Sequence, residues 1–99
     1  MLIVEKNETI IGSKKPIAVR FTAPWCGPCK VFAPVFVSLE SEFPNVNFAK
    51  CDVDAYPNIA TNFKIKVVPS VLVLKEGNIL AEYYGIQSKD TLRKCLKTL

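Results

Sequence analysis

Long apolar runs are missing from this 99-residue chain, and with them any stretch able to cross a bilayer as one helix. The apolar start "MLIV" is cut short by Glu5, which leaves no h-region of the kind a secretory signal needs. Internal repeats, low-complexity tracts and linker-like stretches are absent too, so a single domain over residues 1–99 is expected. Charge of one sign is not concentrated. The 13 Lys plus Arg outnumber 9 Asp plus Glu for a net +4, but the basic residues are scattered, which argues against a nucleic-acid surface. A small cytoplasmic protein is expected, a monomer with neither membrane nor nucleic acid as a partner. Its 49% apolar content suits one modest core.

A second CxxC is also lacking. Of the four cysteines, Cys26 and Cys29 lie three apart, whereas Cys51 and Cys95 stand far apart and supply no second knuckle for an all-thiolate zinc site. No metal is expected. In a glutathione-reduced compartment structural disulfides seldom persist, so a CxxC points to catalysis or metal rather than to a permanent staple.

What is present is a regular alternation of strand and helix signals, the mark of an α/β layer structure. "LIV" (2–4) is a short strand candidate, and "PIAVRFT" (16–22) alternates Ile17, Val19 and Phe21 against Ala18, Arg20 and Thr22. From Cys26 the period changes: Phe32, Val35, Phe36, Leu39 and Phe43 predict an amphipathic helix of about five turns, with Pro34 inside it. "VNFAKCDV" (46–53) reads as the next strand, and Ile59 with Phe63 marks a short helix after Pro57. "SVLVLK" (70–75) and "NILAEYY" (78–84) flank a turn built on Gly77-Asn78, a β-hairpin signal. Ser88 then caps a helix with Leu92, Cys95, Leu96 and Leu99 on one face. Cys51 and Cys95 both read as buried packing residues that do not bridge.

The stretch "WCGPCK", the "VVPS" that opens a strand about forty residues later, and "YYG" near the end occur together in thioredoxins, which the chain resembles over nearly its whole length. The resemblance implies a thioredoxin fold, a central mixed β-sheet flanked by helices, with the cysteine pair at the first turn of the long helix. It also implies a redox-active Cys26–Cys29 disulfide, a cis Pro69, and a backbone at Val68 free to pair with an extended substrate. Trp25, Gly27, Pro28, Val68, Pro69, Gly85 and Ile86 would line a shallow apolar docking groove around Cys26, and Asp54 would accept the Trp25 N–H. Disulfide-containing protein substrates and a thioredoxin reductase, or an equivalent electron donor, follow as partners; no cofactor is implied.

The chemistry of the pair is readable from physics as well. A thiol is a nucleophile only as thiolate, and a helix N-terminus, with its unpaired N–H groups and positive dipole end, favours that anion at Cys26. The i, i+3 spacing brings Cys29 beneath it; Gly27 allows the tight approach, and Pro28 suits a first turn. Cys26 then attacks a substrate disulfide and Cys29 resolves the mixed disulfide. The glutaredoxin alternative lacks support because a CPxC site and a Gly-Gly pair are missing. A non-catalytic module that only binds partners is the other alternative.

Two departures from the thioredoxin pattern stand out. Only residues 1–15 precede Pro16, so the first strand and helix are expected to be abbreviated. Arg20 occupies the strand position where the family usually carries a buried Asp that takes the resolving cysteine's proton and pairs with the lysine matched here by Lys50. An unpaired buried guanidinium is costly, so Arg20 must snorkel, find water or recruit an acid. A cation ~6 to 10 Å from a thiolate stabilises it by roughly 2 to 3 kcal/mol at an effective dielectric near 20. Arg20 and Lys50 are therefore candidates for tuning the thiol pKa.

Overall fold

A computed structural model describes residues 1–99. Nine elements follow one another: β1 (Leu2–Ile3), α1 (Asn7–Ile11), β2 (Ile17–Thr22), α2 (Gly27–Glu40), β3 (Asn47–Asp52), α3 (Pro57–Asn62), β4 (Ser70–Lys75), β5 (Asn78–Tyr84) and α4 (Lys89–Leu96). The predicted order of strands and helices is the observed one. The five strands form one sheet in the order β1-β3-β2-β4-β5. β1 and β2 run parallel to β3 on its two sides, while β4 is antiparallel to both β2 and β5.

Strand alternation divides the core between the two faces of this sheet. Ile17, Val19 and Phe21 of β2 join Ala49 and Cys51 of β3 and Leu72 and Leu74 of β4, covered by Ile10 of α1 and Ile59 of α3. On the opposite face Ala18, Phe48, Val71 and Val73 meet Phe32, Phe36 and Leu39 of α2 and Leu92 and Leu96 of α4. Phe36 packs edge-on against Phe48 with ring centroids 5.2 Å apart. All six residues of β2 are buried, as expected of a central strand covered by helices on both sides. Cys51 and Cys95 pack on opposite faces of the sheet, and both are free thiols. Cys51 is buried and Cys95 only half-buried. Burial, reinforced by the nearby Asp52 carboxylate, pushes the Cys51 thiol up to about 11, so it stays protonated and inert.

Two local expectations need correction. The long helix stops at Glu40, a turn earlier than the apolar spacing suggests, because Glu42 and Phe43 donate their backbone N–H groups to carbonyls three residues back, and Pro44 follows. Phe43 keeps its place in the core from the turn beyond the helix. The hairpin turn is centred on Glu76-Gly77 rather than Gly77-Asn78, with Lys75 paired to Asn78. Both central residues have positive φ, 53° and 81°, the type I′ pattern for which glycine is the natural second residue. β1 has two residues and α1 five, so the first strand and helix are short, as anticipated.

α4 starts where Ser88 accepts the Thr91 N–H at 3.1 Å. It is tied to the segment after α2 by Glu42, which binds Arg93 at 2.9 Å and Lys89 at 3.1 Å. These cations hold the Glu42 carboxyl down at about 2, below its ordinary value of 4.5. A depressed carboxylate adds stability above its unfolded pKa that is lost as pH falls through the folded one. Thermal melts should therefore show Glu42→Gln less stable than wild type at pH 7, with the gap closing between about pH 4.5 and pH 2. A gap independent of pH would contradict this role.

Candidate active site

β2 delivers the chain to the site. Past its end, Ala23, Pro24 and Trp25 lead into α2, where Cys26 occupies the N-cap position with extended backbone (φ −85°, ψ 106°). Its sulfur accepts the Cys29 backbone N–H at 3.2 Å, the role a Ser or Asp side chain plays in an ordinary helix start. Pro28 falls in the first turn, where its missing N–H costs nothing. Cys26 and Cys29 are joined as a disulfide, their Cα atoms 5.3 Å apart, and both side chains are buried, packed with Ala23 and flanked by Val53 and Val68. The sulfur therefore sits where unpaired helix N–H groups converge, in surroundings that favour a thiolate once the disulfide is opened.

The peptide bond between Val68 and Pro69 is cis, as the resemblance implies. Val68 O lies 3.7 Å from Cys26 Sγ, and neither the N–H nor the carbonyl of Val68 has a backbone hydrogen-bond partner. Gly85, at φ 83°, donates its N–H to Pro69 O at 2.8 Å, which sets the end of β5 beside the proline. Around this point Trp25 is 69% exposed, and Ile86 and Val67 are also exposed.

Of the anticipated groove, Trp25 and Val68 line one hollow of about 310 Å³, together with Val53, Ile65, Lys66 and Val67, none of which was expected in the groove. Gly27, Pro28, Pro69, Gly85 and Ile86 lie outside that hollow. The apolar spacing of Ile65 and Val67 before the Val-Pro step is the signal that could have found them. Two expectations fail. Asp54 does not receive the Trp25 N–H: it is exposed, and its own backbone N–H donates to Asp52 Oδ1 at 2.8 Å in an ordinary turn. Gly27 is not required by a close approach within the fold, since a Cβ there would meet nothing within 4 Å.

Arg20 and Lys50 are register partners on adjacent parallel strands, so the two cations do stand side by side. Lys50 is exposed, but Arg20 is only 6% exposed and has no ion pair. Its Nε is buried without a hydrogen-bond partner, and its Cζ lies 5.9 Å from the centroid of the Phe36 ring. Burial pulls the guanidinium below its usual pKa, though an arginine stays charged at any physiological pH. Arg20, Lys50 and Cys29 line a common hollow of about 300 Å³ with Thr22, Lys30 and Asp52, the one acid in its wall. Asp52 was not anticipated; strand alternation places it on the face of Lys50, opposite Thr22 in register.

A helix-start disulfide beside an unpaired stretch of backbone defines a dithiol exchange site, and proteins of this class are thiol-disulfide oxidoreductases. The sequence model of the thioredoxin family matches residues 3–98. Thioredoxin H5 of Arabidopsis thaliana is 40% identical over 93 residues, covering 94% of this chain and 79% of that protein. The thioredoxin of Fasciola hepatica superposes with a TM-score of 0.89 at 30% identity, covering 99% of this chain and 98% of that one. The oxidized mitochondrial thioredoxin 3 of Saccharomyces cerevisiae gives a TM-score of 0.86 at 30% identity, over 100% of this chain and 92% of the other. The chain belongs to the thioredoxin family and is a thiol-disulfide oxidoreductase. No helix is long and apolar enough to cross a membrane.

Proposed function

We propose that the chain, as one thioredoxin domain over residues 1–99, reduces disulfides of protein substrates, with Cys26 as nucleophile and Cys29 as resolving thiol. The observation that carries these roles is the position of Cys26 at the N-cap of α2, its sulfur accepting a helix N–H. In the first step the Cys26 thiolate attacks one substrate sulfur; an S–S bond forms to Cys26 and the second substrate sulfur leaves as thiolate. In the next step Cys29, deprotonated to solvent, attacks Cys26, expels the first substrate sulfur and closes the internal disulfide. Two electrons pass to the substrate, and a thioredoxin reductase or equivalent donor restores the dithiol, which makes the protein an electron carrier in redox homeostasis.

Substrate docks on the face that carries Trp25, Gly27, Pro28, Val68, Pro69, Gly85 and Ile86, its backbone pairing with the free N–H and carbonyl of Val68. The protein works as a cytoplasmic monomer without nucleic acid, membrane or metal; free Cys51 and Cys95 suit a reducing compartment. The relatives do not share one address, since one is mitochondrial. Arg20, with Lys50 beside it, supplies positive charge near Cys29 where a carboxylate is usual, favouring thiolate and hence the dithiol form. The protein is then a weaker reductant than typical members of its family.

In an insulin-reduction assay Cys26→Ser should lose turnover entirely, and Cys29→Ser should stall as a mixed disulfide through Cys26 that gel electrophoresis without reductant resolves. Turnover surviving in Cys26→Ser, or partner binding untouched with no turnover in the wild type, would instead favour a module that only binds. Redox equilibration against glutathione should give Arg20→Asp a lower potential than wild type, by an amount matching a thiol pKa shift of about one unit or more. Equal potentials would remove Arg20 from the account.

A further inference from the structure

The hollow beside Cys29 lends disulfide exchange its positive charge but leaves a buried hydrogen-bond donor unused. Its floor is Arg20, 6% exposed, with Nε lacking any hydrogen-bond partner and with no carboxylate in ion-pair range. Leaving a buried charged donor unsatisfied is costly, and such groups are ordinarily matched by an acceptor. Lys50, the strand neighbour of Arg20, and Lys30 of α2 add two more cations to the wall, and Thr22 adds a hydroxyl. Against these three cations stands one acid, Asp52, whose Oδ1 already accepts the backbone N–H groups of Asp54 and Ala55 at 2.8 and 3.2 Å. The space of about 300 Å³ is ample, given that one water takes up roughly 30 Å³ of liquid.

We infer that this hollow is a binding site for a small oxoanion of the phosphate class, held by Arg20 at its floor and by Lys50 and Lys30 at its rim. The planar guanidinium fork matches the oxygens of phosphate two at a time, which a spherical halide cannot offer. Three cations facing one acid favour a divalent anion over a monovalent one. The hollow lies on the α2 and β3 side of the disulfide, whereas Trp25 and Val68 line a different hollow, so the anion and a docked disulfide substrate do not compete for the same wall. The anion's source is either free phosphate or an organic phosphate monoester whose remainder extends past the exposed Lys30 and Lys50 into solvent.

The test is made on the oxidised protein at fixed pH, so its failure leaves the dithiol chemistry untouched. Inorganic phosphate titrated against ¹⁵N-labelled protein should move the amide signals of Thr22, Cys29, Lys30 and Lys50 along saturating curves, while sodium chloride at equal ionic strength should not. Arg20→Met should weaken the apparent affinity about tenfold or more, the loss of one hydrogen bond to a charged group. Lys50→Gln, an exposed position that cannot disturb the core, should weaken it about threefold. Tighter saturation by glycerol phosphate than by inorganic phosphate assigns the site to a phosphate ester, and the reverse assigns it to the free ion. Shifts that merely track ionic strength, or full wild-type affinity in both variants, overturn the proposal.

Discussion

Everything at the working end of this molecule depends on one contact: the sulfur of Cys26 accepting the backbone N–H of Cys29 at the start of α2. An N-cap position concentrates the unpaired N–H groups and the positive end of the helix, an interaction worth roughly 0.3 to 1 kcal/mol for an exposed anion and up to about 2 where partly buried. Cys26 is buried, so water screens this interaction less, while the same burial opposes the charge. The rest of the architecture secures this geometry. β2 is buried along its whole length between β3 and β4 and so fixes the approach to the helix, while Phe32, Phe36 and Leu39 clamp α2 to the sheet. The cis Val68–Pro69 step and the Gly85 N–H bound to Pro69 complete the surround.

A second constraint runs against the first only in appearance. Arg20 projects from the same central strand onto the helix-covered face, where an unpaired charge is costly. The sheet accommodates it by setting the guanidinium over the Phe36 ring and at the floor of a hollow that reaches Lys30 and Lys50. The consequence is a positive field on the Cys29 side of the disulfide. The tuning proposed for Arg20 would act in the same direction as the helix start, both favouring negative charge on the sulfur pair.

The layered architecture and the cysteine pair were legible in the chain because they rest on short-range patterns. Alternation in "PIAVRFT" and "SVLVLK", the spacing of Phe32, Phe36 and Leu39, and the Ser88 cap each report local periodicity or a single hydrogen bond. The misplaced details are those settled by competition between neighbours. Phe43 continues the apolar helical spacing, but carbonyls three residues back capture its N–H and that of Glu42. In the hairpin, strand pairing of Lys75 with Asn78 forces the positive φ onto Glu76 and Gly77. Trp25 and Asp54 were paired by resemblance alone, and Asp52 holds the Asp54 N–H in a turn instead. The hollow beneath Cys29 was invisible as a unit because it draws on β2, β3 and α2, and only the strand register brings Asp52, Lys50, Thr22 and Arg20 together.

The central claim is that the start of α2 makes Cys26 an anion-stabilised sulfur. Its most direct test is the pH dependence of iodoacetamide alkylation in the fully reduced wild-type protein, with the modified residue identified by peptide mass. The rate at Cys26 should rise through a midpoint below the free-thiol value of about 8.5. A midpoint at or above that value would contradict the account, because burial alone would then be outweighing the helix terminus.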